Sequence, residues 1–123
     1  MIKVDRDSGV YLMHLWGVED WPDIEADYYV WEGCGVCALI DFDDVIELHM
    51  AMRKDDRRHC RVFVKNILNM CEKPVRALIQ EKNRHVCNLA LRMGFDYVDH
   101  YWSEMYDGSF KQVIEMRNDL WDS

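Results

Sequence analysis

The feature that most narrows the fold is a strand–helix–strand run in the middle of the chain. Val45 to Met52 (VIELHMAM) alternates, with Ile46, Leu48, Met50 and Met52 on one face and Val45, Glu47, His49 and Ala51 on the other. The charged stretch Arg53–Arg58 (RKDDRR) breaks that alternation. From about His59 to Glu72, Val62, Phe63, Ile67, Met70 and Cys71 recur at roughly helical spacing, and Pro74 ends the helix. Val75–Gln80 (VRALIQ) then reads as a strand. A crossover of this kind lays its two strands parallel and packs the helix on one face of the sheet.

Antiparallel signals surround the crossover. Asp27–Glu32 is rich in strand formers, Gly33-Cys34-Gly35 supplies a turn, and Val36–Asp41 returns, which predicts a hairpin. Phe42-Asp43-Asp44 is a second turn. A second helix spans about Lys82–Met93, with Val86, Leu89, Ala90 and Met93 as its inner stripe and Gly94 at its stop. Phe95–Trp102 reads as a strand, Asp107-Gly108 as a hairpin turn and Phe110–Asn118 as the closing strand. Residues 1–27 form a divergent N-terminal segment in which Gly9–Trp16 suits strand or helix and Trp21–Glu25 suits a loop or short helical turn. The predicted order is β-β-β-α-β-α-β-β. The fold class is α/β (α+β): one domain over residues 1–123, with a mixed, mostly antiparallel sheet and helices on its faces. Half the residues are hydrophobic, enough for one packed core.

Charge removes some functions. The net charge of −8 argues against a phosphate-backbone binder, so no nucleic-acid partner is expected. No apolar run approaches the ~18 residues of a membrane span, and Met1–Asp7 lacks the apolar stretch of a secretory signal. A cytoplasmic protein is expected, with no membrane partner. Residues 19–44 carry nine carboxylates and no lysine or arginine, whereas Arg53, Lys54, Arg57, Arg58 and Arg61 cluster against Asp55 and Asp56. That basic island is either a site for a local anionic ligand or a solvated loop. The five cysteines, an odd count, read as reduced and mostly buried. Cys34-Gly35-Val36-Cys37 is a CxxC. A zinc site would need two further ligands from His49, His59 or Cys60, and no second pair has ligand spacing, so no metal is expected.

The stretch Glu81–Phe95 resembles a segment of the GNAT acetyltransferase superfamily. Asn83 is followed by Val86, Leu89, Ala90, Arg92 and Gly94-Phe95 in that family's register. VRALIQEKN resembles its fifth strand and DGSFKQVIEMRN its closing hairpin, so the likeness covers residues 28–118. It implies acetyl-CoA as cofactor and an amine acceptor, either a small molecule or a protein lysine. A homodimer is a further expectation. By the same resemblance, Asn83 and Ala90 lie beside the pantetheine arm, although Asn83 equally suits a helix cap. Met50, Ala51 and Met52 would offer backbone groups to the acetyl carbonyl and pantetheine.

Two departures stand out. Where the family has a glycine-rich phosphate loop, this chain has Asp55-Asp56-Arg57-Arg58-His59-Cys60. Arg57, Arg58 and His59 would then supply charge in place of backbone N–H groups, each contact worth roughly 1.5–3 kcal/mol, with Cys60 at the last small position. Ala90 stands where many members have the tyrosine that protonates the CoA thiolate, leaving water, Tyr101 or Tyr106 as the acid. Glu47 and His49 are the candidates for general base, or else a paired carboxylate and a satisfied core histidine.

The resemblance therefore implies an acetyl-CoA-dependent N-acetyltransferase. The departures also resemble those of short, divergent GNAT-like bacteriophage proteins. That implies an alternative: a catalytically degenerate protein that binds and modulates a host protein, working in the host cytoplasm. Trp16, Trp21, Trp31, Trp102 and Trp121 would serve such an interface or the core.

Overall fold

The computed structural model describes residues 1–120; Trp121 lies outside them. Ten elements are laid out as β1 (Ile2–Val4), α1 (Arg6–Leu15), β2 (Asp27–Trp31), β3 (Gly35–Asp41), β4 (Ile46–Met52), α2 (Cys60–Met70), β5 (Val75–Gln80), α3 (Arg84–Arg92), β6 (Asp96–Glu104) and β7 (Phe110–Asn118). A 3₁₀ segment, Lys54–His59, leads directly into α2.

The N-terminal segment corrects the sequence expectation, because it adds a strand and a helix ahead of the predicted order. Asp5 caps α1 by accepting the Ser8 N–H at 2.7 Å. Gly9 and Met13, one turn apart, are the buried positions of α1. A Cβ on Gly9 would lie 2.3 Å from Tyr28 Cγ, so the glycine lets the helix lie against β2. Apolar content alone had left helix and strand equal; the cap and the Gly9–Met13 spacing decide for the helix. The loop from Trp16 to Ala26 then folds back over the sheet. The buried Trp21 indole donates to the Tyr28 hydroxyl at 3.0 Å, and that hydroxyl donates to the Ile24 carbonyl at 3.0 Å.

The seven strands run in the order β1-β2-β3-β4-β5-β7-β6. All neighbours are antiparallel except β4 and β5. The β3–β4 ladder is continuous from Gly35↔Met52 to Asp41↔Ile46. By contrast, β4 and β5 pair only at Ile46↔Val75 and Glu47↔Arg76, then diverge. The sheet is therefore split over the rest of β4 and β5.

Alternation divides the core as the sequence predicts. Leu48 and Met52 face α2 and α3 in a cluster with Phe63, Ile67, Val75 and Met116. Ala51 faces α1, with Met13, Tyr28, Val36 and Ala38. Gly94, at φ +87°, ends α3, and Phe95 turns into the first cluster. The cysteines are all free; Cys34 and Cys37 are buried. Burial pushes the Cys37 thiol up to about 12, which makes it a core side chain rather than a thiolate.

Candidate active site

A strand that leaves its neighbour exposes backbone groups. Because β4 departs from β5 after Glu47, alternate N–H and C=O groups of Leu48–Met52 face a gap instead of a partner. A cavity of about 240 Å³ passes through this gap. One wall carries Leu48, His49 and Met50, the other Ala77, Leu78, Ile79 and Gln80. Val64, Val86, Leu89, Ala90 and Phe95 line it on the α2–α3 side, and Met13, Val18 and Trp21 on the α1 side. The lining contains no Asp, Glu, Lys or Arg.

Asn83 lines the same cavity. It precedes α3, yet its side chain makes no capping hydrogen bond. The amide is thus free to face a ligand rather than consumed as a cap. Ala90 is buried, and its methyl leaves open the space that a larger side chain would fill.

A second cavity, of about 290 Å³, adjoins the first and shares Val18, Trp21, His49, Leu78 and Gln80 with it. Its remaining walls come from the loop after α1 (Asp20, Pro22), from Glu47, and from the β6–β7 turn (Ser103 to Asp107). Glu47 is nearly fully buried at its floor. Three groups converge on that carboxylate: His49 Nε2 at 2.8 Å, the Tyr106 hydroxyl at 2.9 Å and Arg76 Nη2 at 3.3 Å. Burial alone would raise the Glu47 carboxyl; the hydrogen bond and charge of His49, the Tyr106 hydroxyl and the Arg76 charge outweigh it and hold the group below its ordinary value. An ionised carboxylate only accepts hydrogen bonds, so His49 Nε2 carries the hydrogen it gives to Glu47. When the ring is neutral, its lone pair is on Nδ1. Trp21 and Tyr106 fix the ring, with centroids 4.8 Å and 5.9 Å from it.

The structure separates the two tyrosines considered as acids. Tyr101 donates to Glu115 at 2.8 Å, and burial together with that carboxylate pushes its phenol up to about 12. It does not line either cavity. Tyr106 does line the second, but burial and Glu47 raise its phenol too, so it holds its proton and donates to Glu47. Arg76 was not singled out by sequence reasoning. Its position opposite Glu47 depends on the two-residue β4–β5 pairing, which leaves no local signature.

The basic island lies past the end of β4. Lys54–His59 closes into a 3₁₀ turn, with Cys60 N–H already donating to Arg57 O. Arg53 pairs with Asp56, and Arg58 donates to Asp55 O and His59 Nε2. Arg57 reaches the Met52 carbonyl at 3.4 Å. Cys60 Sγ meets Met52 Sδ at 3.5 Å. Ala51 and Met52 are buried on opposite faces of β4 and line neither cavity. Of the anticipated cofactor-binding residues, Met50, Asn83 and Ala90 thus share one cavity, and Arg57, Arg58, His59 and Cys60 form a separate group beyond it. Among the described residues, no three His, Cys, Asp or Glu side chains converge as a metal site would require.

No family model and no curated protein matches this sequence. Solved structures do match the fold. Spermidine N-acetyltransferase SpeG from Vibrio cholerae, as a point mutant, superposes with a TM-score of 0.74 at 11% identity, covering 96% of this chain and 93% of that one. For a chimera of SpeG with hSSAT the TM-score is 0.61 at 15% identity, and this chain spans 60% of that chain's length. The ribosomal-protein alanine N-acetyltransferase from Escherichia coli gives 0.72 at 14% identity, covering 96% and 91%. The yncA protein from Salmonella typhimurium, solved with its cofactor acetyl-CoA, gives 0.67 at 12% identity, covering 98% and 93%. With the split between parallel β4 and β5 at its centre, this chain has the GNAT N-acetyltransferase fold.

Proposed function

We propose that the protein is an N-acetyltransferase that takes its acetyl group from acetyl-CoA and passes it to an amine. The observation that carries this reading is the meeting of two chemically different cavities at His49, in the gap between β4 and β5. The narrow, uncharged cavity suits an amide-containing apolar arm. Unpaired β4 backbone groups and Asn83 are available to its amides, and Leu89, Ala90 and Val86 to its methylenes. Met50, Ala51 and Met52 would contribute from β4. The island of Arg57, Arg58 and His59 would take the phosphates by side-chain charge, since the 3₁₀ turn has spent backbone donors that a glycine loop would offer.

The acceptor amine enters the second cavity as an ammonium. His49 Nδ1 takes one proton from it, and Glu47 stabilises the imidazolium that results. Tyr106 and Arg76 hold Glu47 in place for this task. Acetyl-CoA supplies the activated thioester that the freed amine attacks. Holding both groups in adjoining cavities lowers the entropic part of the barrier. With alanine at position 90, water passes the second ammonium proton, released as the amide forms, to the departing thiolate.

The test is release of free CoA thiol from acetyl-CoA in the presence of simple amines, with thermal melting as a parallel readout. Saturation at 100 times the dissociation constant stabilises the fold by ~2.7 kcal/mol. The closed 3₁₀ turn also favours a second reading, in which the fold persists as a non-catalytic module that binds a host protein. That reading predicts melting curves unmoved by millimolar acetyl-CoA.

A further inference from the structure

We infer that Tyr28 and His14 are positioning residues for His49: they hold Trp21 as the backstop that sets where the imidazole Nδ1 points. This rests on the acetyltransferase reading and deepens it.

The need for a backstop comes from the histidine itself. Rotation about the Cβ–Cγ bond of a histidine is soft. Its axis passes close to Nε2. The hydrogen bond from Nε2 to Glu47, at 2.8 Å, therefore fixes which nitrogen carries the hydrogen but leaves the direction of Nδ1 loosely set. Packing has to set it. Three rings close together here: the centroids are 4.8 Å apart for His49 and Trp21, 5.9 Å for His49 and Tyr106, and 5.6 Å for Trp21 and Tyr106. Tyr106 is tied down by its own bond to Glu47. Trp21 sits on a loop, and a side chain on a loop is a firm wall only where neighbouring groups lock it.

The hydrogen bonds that lock Trp21 come from residues outside both cavities. Its indole N–H donates to the Tyr28 hydroxyl at 3.0 Å, and that hydroxyl donates to the Ile24 carbonyl at 3.0 Å. One oxygen thus ties the Trp21 side chain to the backbone of its own loop. Burial holds the Tyr28 phenol above its ordinary value, so it keeps the proton it donates. His14 Nε2–H donates to the Trp21 carbonyl. Arg6 brackets Ile24 through Asp23 at 3.2 Å and Glu25 at 2.6 Å, exposed pairs that add little alone. Tyr28 is fully buried beneath α1, His14 is exposed on α1, and neither lines a cavity. Their effect on the reaction must pass through Trp21.

Tyr28→Phe removes the hydroxyl and keeps the ring; His14→Ala removes the second tie. Each should lower kcat for acetylation of butylamine about tenfold and leave the KM for acetyl-CoA unchanged, a partial misplacement of the base. A double-mutant cycle decides the cause. In a His49→Ala background neither change should lower the residual rate further, because the group being aimed is gone. A merely structural role would lower the rate by the same factor in both backgrounds, and that result overturns the inference. Ring-to-ring NOEs between Trp21 and His49, measured on the protein alone, should weaken in both variants; NOEs unchanged in both also overturn it. Should Tyr28→Phe fail to fold, as melting would show, His14→Ala at its exposed position carries the test. The NOEs also separate this inference from the reading beneath it. Weakened ring contacts in a protein that releases no CoA thiol with any simple amine overturn the transferase reading, while the hold of Tyr28 and His14 on the His49 ring stands.

Discussion

The two cavities share five residues, yet their linings are chemically opposed. The one through the strand gap has no ionisable side chain except the shared His49; its neighbour has four carboxylates. One sheet achieves this because β4 alternates. Leu48 and Met50 face α2 and α3, while Glu47 and Ala51 face α1. Splitting β4 from β5 opens a path between those faces. A single strand thus supplies an apolar wall to one cavity and a buried carboxylate to the other, with His49 at the junction.

The largest expected effect is on His49. His49→Ala should lower kcat about a thousandfold, within the usual range for loss of a general base, while acetyl-CoA still shifts the melting temperature. A loss of the melting shift as well would show that the two sides are not separable. Ala90→Phe should do the converse: it fills the uncharged cavity and abolishes the acetyl-CoA shift of ~2.7 kcal/mol, while amine affinity at the second cavity, which Ala90 does not line, persists. Glu47→Ala should cost about 2 kcal/mol of stability, measured by urea unfolding, because it strips a buried acceptor from three donors. Changing Arg57 and Arg58 together to Ala should weaken acetyl-CoA about tenfold by titration calorimetry and leave amine affinity alone.

The smallest effect is in pH. The Glu47 carboxyl is held below its ordinary 4.5 in the folded protein, so the unfolded chain binds its proton first as pH falls. Its stabilisation is complete above about 4.5 and is lost as pH drops through the lower folded value. Wild-type stability should therefore decline toward that of Glu47→Gln in acid, with the difference restored on return to neutral pH. A difference that grows in acid would contradict the sign.

Much of the frame was legible because it is written locally. The alternation of Val45–Met52, the run VRALIQ and the Gly94 stop each specify their own element, and the observed bounds of β5 and β7 coincide with those read from the sequence. The N-terminal helix was less legible: Gly9–Trp16 is apolar enough for either state, and the deciding facts are a cap and the approach of Tyr28. Strand alternation put Glu47 and His49 on one face, but the groups that surround them were not legible, since these come from Arg76 and Tyr106, 29 and 59 residues away from Glu47. Likewise the sequence marked Asp55–Cys60 as a departure, but not that it closes into a 3₁₀ turn.

The most direct measurement is intermolecular NOEs from acetyl-CoA to the methyl groups of Ala90 and Leu89. Cross-peaks from the pantetheine protons to both methyls, absent in Ala90→Phe, are the expected result. Saturating cofactor that gives no cross-peak to either methyl, or gives them only to residues away from the β4–β5 gap, would contradict the central claim.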